Sequence, residues 1–211
     1  MVQPPAHFRP TIGIAGGIGS GKSEVARLLA RLGCEVCVSD EAARAVLAEP
    51  AVRDAVVARA GPGVRAPDGS VDRAALGRAI FADAGLRAGI ERIMHPRIEA
   101  LRRAQFARAP LSTRAFIIDA PLLFEVGLER ECDAVIFVDS PRPLRLARVQ
   151  ATRGWDDAEL ARREASQLPL DEKRRRSTDV VENSEEHAAL EAAVRRALEA
   201  IVARGPRTAP T

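Results

Sequence analysis

The chain has 211 residues, 46% of them hydrophobic and 29% charged, which is enough to bury a proper core and ordinary for a water-soluble globular protein. A formal charge of +3 suits anionic small molecules and is also compatible with weak nucleic-acid affinity, and no apolar run reaches membrane-spanning length. Three cysteines make no disulfide framework, and the first ten residues lack the apolar centre of a secretory signal. The expectation is a cytoplasmic protein without nucleic-acid or membrane partners, with a flexible leader at 1–10 and a frayed tail at 205–211.

In chain order, Thr11-Ile12-Gly13-Ile14-Ala15 is β-prone and leads into Gly16-Gly17-Ile18-Gly19-Ser20-Gly21-Lys22-Ser23. Val25, Leu28, Leu29 and Leu32 then recur at helical spacing. The pattern G-x-x-x-x-G-K-[ST] between a strand and a helix is the phosphate-binding loop. Its glycines let backbone N–H groups wrap phosphate oxygens at the positive end of the helix dipole. Gly17, Ile18, Gly19, Ser20 and Gly21 are expected to cradle the phosphates of a nucleoside triphosphate, Lys22 to neutralise them, and the Ser23 hydroxyl to ligate Mg²⁺. Only Lys22 and Lys173 are lysines in this arginine-rich chain, so Lys22 stands out from the background.

A second strand is expected near Glu35–Ser39, ending at Asp40. Cys34 and Cys37 have chelate spacing but no second pair, and read as buried small hydrophobes. Helices are expected over Glu41–Leu47, Ala51–Arg59 and Arg73–Phe81, the last capped by Asp72. Another starts near Leu86, and Pro96 is expected to bend or restart it. Ala115–Ile118 and Ala134–Val138 are apolar runs that close on Asp119 and Asp139, the pattern of buried parallel strands. Helices follow over Pro141–Arg153 and Asp157–Gln167. The basic run Lys173-Arg174-Arg175-Arg176 reads as a solvated helix face or an anion-binding lid edge. A short strand at Val180-Val181 precedes a closing helix, Glu185–Ala203, with Leu190, Val194, Leu198 and Ile201 on one stripe.

This alternation predicts an α/β fold, an open parallel sheet of P-loop NTPase type flanked by helices, in which ligands bind beyond the carboxyl ends of the strands. One domain is expected over 11–204. A carboxylate within reach of an acceptor hydroxyl would take its proton. Asp40 is placed for that role, or equally to cap the helix after it. A switch GTPase is excluded by the lack of an Asn-Lys-x-Asp element, which two lysines at 22 and 173 cannot supply.

The ordered set of motifs resembles the dephospho-CoA kinase family from about Ile12 to Asn183. It comprises Gly13 through Ser23, Ser39-Asp40 with Arg44, Asp68 through Arg73, His95-Pro96, Pro121-Leu122-Leu123-Phe124-Glu125, Arg148, Arg153, Arg163, Gln167 and Asn183. The chain has Ser39 where the family often has Ala within Asp-Ala-Asp, and lacks the first acidic residue of that motif.

The resemblance implies ATP-dependent phosphorylation of the ribose 3′-hydroxyl of dephospho-CoA. It implies a helical acceptor-binding region at about 40–110 and a helical lid at about 148–176. Asp40 matches the family's general base. Arg44 would contact the acceptor or form a surface ion pair. His95 would orient the acceptor or pack at a kink. Leu122, Leu123 and Phe124 would wall the acceptor or pack beneath the lid, with Glu125 making polar contacts. Arg163 and Gln167 belong to the same acceptor set. Arg148 and Arg153 would stabilise the transferring phosphoryl, Asn183 would sit near the adenine, and Asp119 would support the Mg²⁺ behind its direct ligands. A monomer or weak homo-oligomer is expected. Another small-molecule kinase on the same scaffold is the alternative.

Overall fold

A computed structural model describes residues 8–184 and 186–205. Most of the expected leader and tail, and Glu185, lie outside the described residues. The chain forms two compact units, one built from the chain up to Cys37 together with Ala109 onward, the other from Val38–Arg108.

The first unit is organised on five strands in the order β2-β3-β1-β4-β5. They are β1 (Thr11–Gly16), β2 (Glu35–Val38), β3 (Phe116–Asp119), β4 (Ala134–Asp139) and β5 (Asp179–Glu182). The central strand β1 runs parallel to both neighbours, with Ile12 opposite Ile117 and Ala134, and Ile14 opposite Asp119 and Ile136. β4 and β5 are parallel as well. Strands covered on both faces need apolar side chains at every position. Accordingly Ile12, Ile14, Ile117, Ile136 and Val138 are fully buried.

Helices α1 (Lys22–Arg31) and α9 (His187–Arg204) pack together over this sheet. Val25, Leu28 and Leu29 of α1 share one core with Leu190, Val194, Leu198 and Ile201 of α9. Burying each such side chain contributes about 1.5–3 kcal/mol. The stripe expected on the closing helix is therefore its core face. α6 (Arg142–Arg153), α7 (Asp157–Glu164) and α8 (Leu170–Arg176) complete the unit. α8 was not separated by pattern, because a seven-residue helix with four consecutive basic residues shows no apolar period.

The second unit comprises α2 (Ser39–Ala48), α3 (Pro50–Ala60), α4 (Arg73–Ala82) and α5 (Ala84–Ala107). Val46, Val52, Val56, Leu76, Ile90 and Met94 form its core. Asp72 caps α4 as expected, accepting the amides of Ala74 and Ala75 at 2.9 and 3.0 Å. Pro96 does not restart α5, which runs unbroken from Ala84 to Ala107. One lost ladder bond at an exposed position is outweighed by the packing of α5 on α2, α3 and α4.

The second strand is shorter than its expected span. β2 ends at Val38 and helix begins at Ser39, so Asp40 lies in the first turn of α2 and not at a strand end. Asp40 is not the helix cap either; that position falls to Val38, which contributes no side-chain bond. Asp40-Glu41 at a helix N-terminus favours the helix over a further strand residue, because the carboxylates meet the positive end of its dipole.

Candidate active site

Positive-φ glycines and a set of cationic donors shape the loop between β1 and α1. Gly19 has φ +77° and a Cβ there would stand 2.6 Å from the Arg145 carbonyl oxygen. Gly21 has φ +92°, and a Cβ there would overlap the Asn183 amide. Neither position accepts another residue without strain and collision.

The loop carbonyls are held by donors from three directions. Lys22 Nζ donates to the Gly16 and Gly17 oxygens at 3.1 and 3.0 Å. Arg145 Nη1 donates to Ile18 O at 3.3 Å, and Arg148 Nη1 to Gly19 O and Ser20 O, each at 3.3 Å. Asn183 Nδ2 donates to Ser20 O at 2.8 Å. Carbonyl oxygens anchored on donors cannot turn toward an anion and repel it.

Two of these anchors hold each other. Arg148 Nη2 donates to Asn183 Oδ1 at 3.2 Å, and its Nη1 reaches Ser140 Oγ at 3.1 Å. The sequence reading separated Arg148 (phosphoryl) from Asn183 (adenine), whereas the structure joins both beneath the loop. Arg145 was not singled out at all. It is 4% exposed, bonds Ser140 O at 3.2 Å, and pairs with Glu164 of α7. Its signal in the sequence was position, three residues before Arg148 and four before the core residue Val149 on one helix face.

Lys22 is the electrostatic focus. Burial of its ammonium is the largest influence and lowers its pKa to about 8. The negative charge of Asp119 opposes that, while Lys173, Arg153 and Arg145 add to the lowering. Asp119, at the end of β3, is 7% exposed. A bound triphosphate would restore the charged form. Nucleotide binding at pH 8.5 is therefore expected to take up protons, visible as a calorimetric heat that changes with buffer ionisation enthalpy. The uptake vanishes in Lys22→Met, and equal heats in all buffers from the wild-type protein would contradict this. Nucleotide affinity falls as pH rises through the Lys22 pKa of the complex.

Arg153 and Arg163 meet on the ring of Trp155, the only tryptophan, with guanidinium carbons 4.7 and 4.1 Å from its centroid. Arg163 also pairs with Glu159 at 2.6 Å. The family resemblance gives Arg153 to the transferring phosphoryl and Arg163 to the acceptor. The structure places them on opposite sides of one residue's chain position and on one aromatic ring.

The Pro121–Gly127 turn divides by residue. Leu123 is 1% exposed and packs against Gly13, Phe124 is buried, and Leu122 is exposed. Glu125 Oε1 accepts Lys173 Nζ at 2.8 Å and the Leu168 amide at 3.0 Å. Gln167 Oε1 accepts the same ammonium at 2.9 Å. Lys173 thus does not belong to a solvated face. It is 1% exposed, while Arg174, Arg175 and Arg176 are exposed and paired with Asp139, Glu172 and Glu129.

Asp40 and Arg44 lie exposed on α2 and His95 exposed on α5, all in the second unit. Cys34 and Cys37 are buried, and burial pushes the Cys34 thiol up to about 11. Both behave as small hydrophobes. No cluster of three or more His, Cys, Asp or Glu among the described residues could hold a metal by itself. None of the described helices is long and apolar enough to cross a membrane.

Comparison with known proteins agrees with this geometry. A family model described as dephospho-CoA kinase matches residues 10–189. A dephospho-CoA kinase of Deinococcus radiodurans is 42% identical over 196 residues, covering 90% of this chain and 94% of the relative. The crystal structure of TT1252 from Thermus thermophilus superposes with a TM-score of 0.80 at 33% identity, covering 93% of this chain and 98% of that one. A shikimate kinase of Acinetobacter baumannii shares the fold alone, with a TM-score of 0.51 at 17% identity over 94% of this chain and 96% of its own. A family match over most of the chain, on a loop held as described, makes this protein a member of the dephospho-CoA kinase family.

Proposed function

We propose that the protein transfers the γ-phosphoryl group of ATP to the ribose 3′-hydroxyl of dephospho-CoA, giving coenzyme A and ADP, the final step of coenzyme A synthesis. Membership of the family across residues 10–189 carries this reading. The loop geometry supports the donor half of it.

Phosphoryl transfer needs in-line positioning and charge neutralisation more than covalent help from the protein. Lys22 would exchange its two carbonyl contacts for phosphate oxygens. Arg145, Arg148 and Asn183 would keep the loop in its anion-binding shape while that happens. Arg153, steadied on Trp155 and close enough to depress the Lys22 pKa, would stabilise charge on the transferring group. Asp40 would accept the proton of the attacking hydroxyl, with Arg44 and His95 contacting the acceptor. Leu122 and Glu125 would meet the acceptor from the Pro121–Gly127 turn.

The hard oxygens of Ser23 and Asp119 fit Mg²⁺, which is bound through few protein ligands together with substrate phosphates. When bound, Mg²⁺ would neutralise charge on the phosphates. Ser23 is exposed at the start of α1 and free to ligate it, with Asp119 supporting from the end of β3.

The test is ADP release with Mg-ATP and, in separate reactions, dephospho-CoA, shikimate, AMP or no acceptor. Release only with dephospho-CoA is expected. Release with another acceptor would keep the scaffold and overturn the substrate, and acceptor-independent release would overturn the kinase assignment.

A further inference from the structure

We propose that Lys173 is a positioning residue for the phosphoryl acceptor: its buried ammonium fixes the Glu125 carboxylate on a groove wall and ties that wall to the segment ahead of α8. The inference rests on the acceptor reading above.

A lysine ammonium is strongly hydrated and is left fully buried only where acceptors replace the lost water. Here Glu125 Oε1 and Gln167 Oε1 do so at 2.8 and 2.9 Å. Glu125 Oε1 also takes the Leu168 amide. Three separate stretches, the Pro121–Gly127 turn, Gln167-Leu168 and α8, therefore converge on one carboxylate oxygen. Well-packed apolar side chains of equal volume would serve stability as well as this ion pair does. The pair adds something apolar residues cannot, a carboxylate held in one orientation.

The other oxygen shows what the orientation is for. Glu125 Oε2 is shielded from solvent, and no described group donates to it. Glu125 lines an open groove of about 590 Å³ with Phe124, Val126, Glu129, Leu168 and Arg176 among its walls. Arg176, one helical turn after Lys173, lies over the Phe124 ring at 4.7 Å and pairs with Glu129. Helix α8 thus grips the same wall twice. A groove that sets Phe124, Val126 and Leu168 beside the charged Glu125, Glu129, Arg130 and Arg176, with one fixed carboxylate oxygen that no described group satisfies, suits a ligand that carries N–H or O–H donors along an apolar stem. The amide- and hydroxyl-bearing arm of dephospho-CoA has that chemistry, whereas the donors of ATP sit on its adenine and ribose and it has no such arm.

Steady-state kinetics of wild type, Lys173→Met, Glu125→Gln and the double variant, with each substrate varied in turn, test this. Lys173→Met is expected to raise KM for dephospho-CoA about tenfold and to leave KM for ATP within about twofold. The double variant is expected to be no worse than the worse single one, because both remove the same arrangement. A purely structural lysine would lower the melting temperature and kcat without splitting the two KM values, and that result would overturn the proposal. Multiplying effects in the double variant would overturn it too. If Lys173→Met does not fold, the double variant leaves no buried charge unpaired, and its acceptor KM decides: raised supports, unchanged overturns. A wild-type enzyme that turns over no dephospho-CoA would instead overturn the acceptor assignment.

Discussion

Lys22→Ala is expected to lower turnover by about 10³-fold or more without lowering the melting temperature. The two parts of this expectation come from one observation. The ammonium is desolvated strongly enough to bring its pKa to about 8, so the folded protein pays to keep it charged. Deleting it relieves that strain on the fold, against the loss of two bonds to the Gly16 and Gly17 oxygens. What cannot be replaced is a cation in the loop where the phosphates of the proposed donor would lie. A melting temperature equal to or above that of the wild type, with turnover near background, is the predicted pair of readings. Wild-type turnover in Lys22→Ala would sink the loop assignment.

Asp40→Asn is expected to lower kcat by roughly 10²–10⁴-fold while ATP affinity stays within about twofold. The substitution keeps shape and a polar group but removes the basicity that the proposed proton acceptor needs. Asp40 is exposed in the first turn of α2, so the only structural loss is a modest favourable interaction with the helix dipole, about 0.3–1 kcal/mol. A large kcat effect therefore cannot be laid on unfolding. An unchanged kcat would reduce the carboxylate to a helix-terminus charge, and circular dichroism of the variant checks that the helix is intact.

What could be read from the sequence was what local chemistry determines. The β1–loop–α1 unit declared itself because four glycines, Lys22 and Ser23 stand between an apolar strand and an amphipathic helix. The strand ends at Asp119 and Asp139 followed from apolar runs closing on a carboxylate. The stripe Leu190, Val194, Leu198, Ile201 followed from its period. The supports of the site escaped because they depend on contacts remote in sequence. Arg145, Arg148 and Asn183 reach the loop from 127 to 163 residues away. Among so many arginines, composition cannot tell a buried brace from a surface charge.

Lys173 was misread for the same reason. In sequence it opens a basic run, and only the fold turns it inward to Glu125 while its three neighbours face solvent. Asp40 shows the opposite error: the strand was extended by two residues because nothing in Val38-Ser39-Asp40 breaks it, whereas acidic residues favour starting a helix there. The arginines on Trp155 add a further lesson. Arg153 and Arg163 are ten positions apart and carried separate assignments, yet one ring orders both.

Transfer to the ribose 3′-hydroxyl fixes where the new phosphate must lie. The most direct measurement is ³¹P–¹H correlation NMR of the product formed from Mg-ATP and dephospho-CoA by the wild-type enzyme. A new phosphomonoester coupled to the ribose H3′ is expected, in amounts equal to the ADP released. A phosphate coupled to H2′, or ADP released with no new ester, would contradict it.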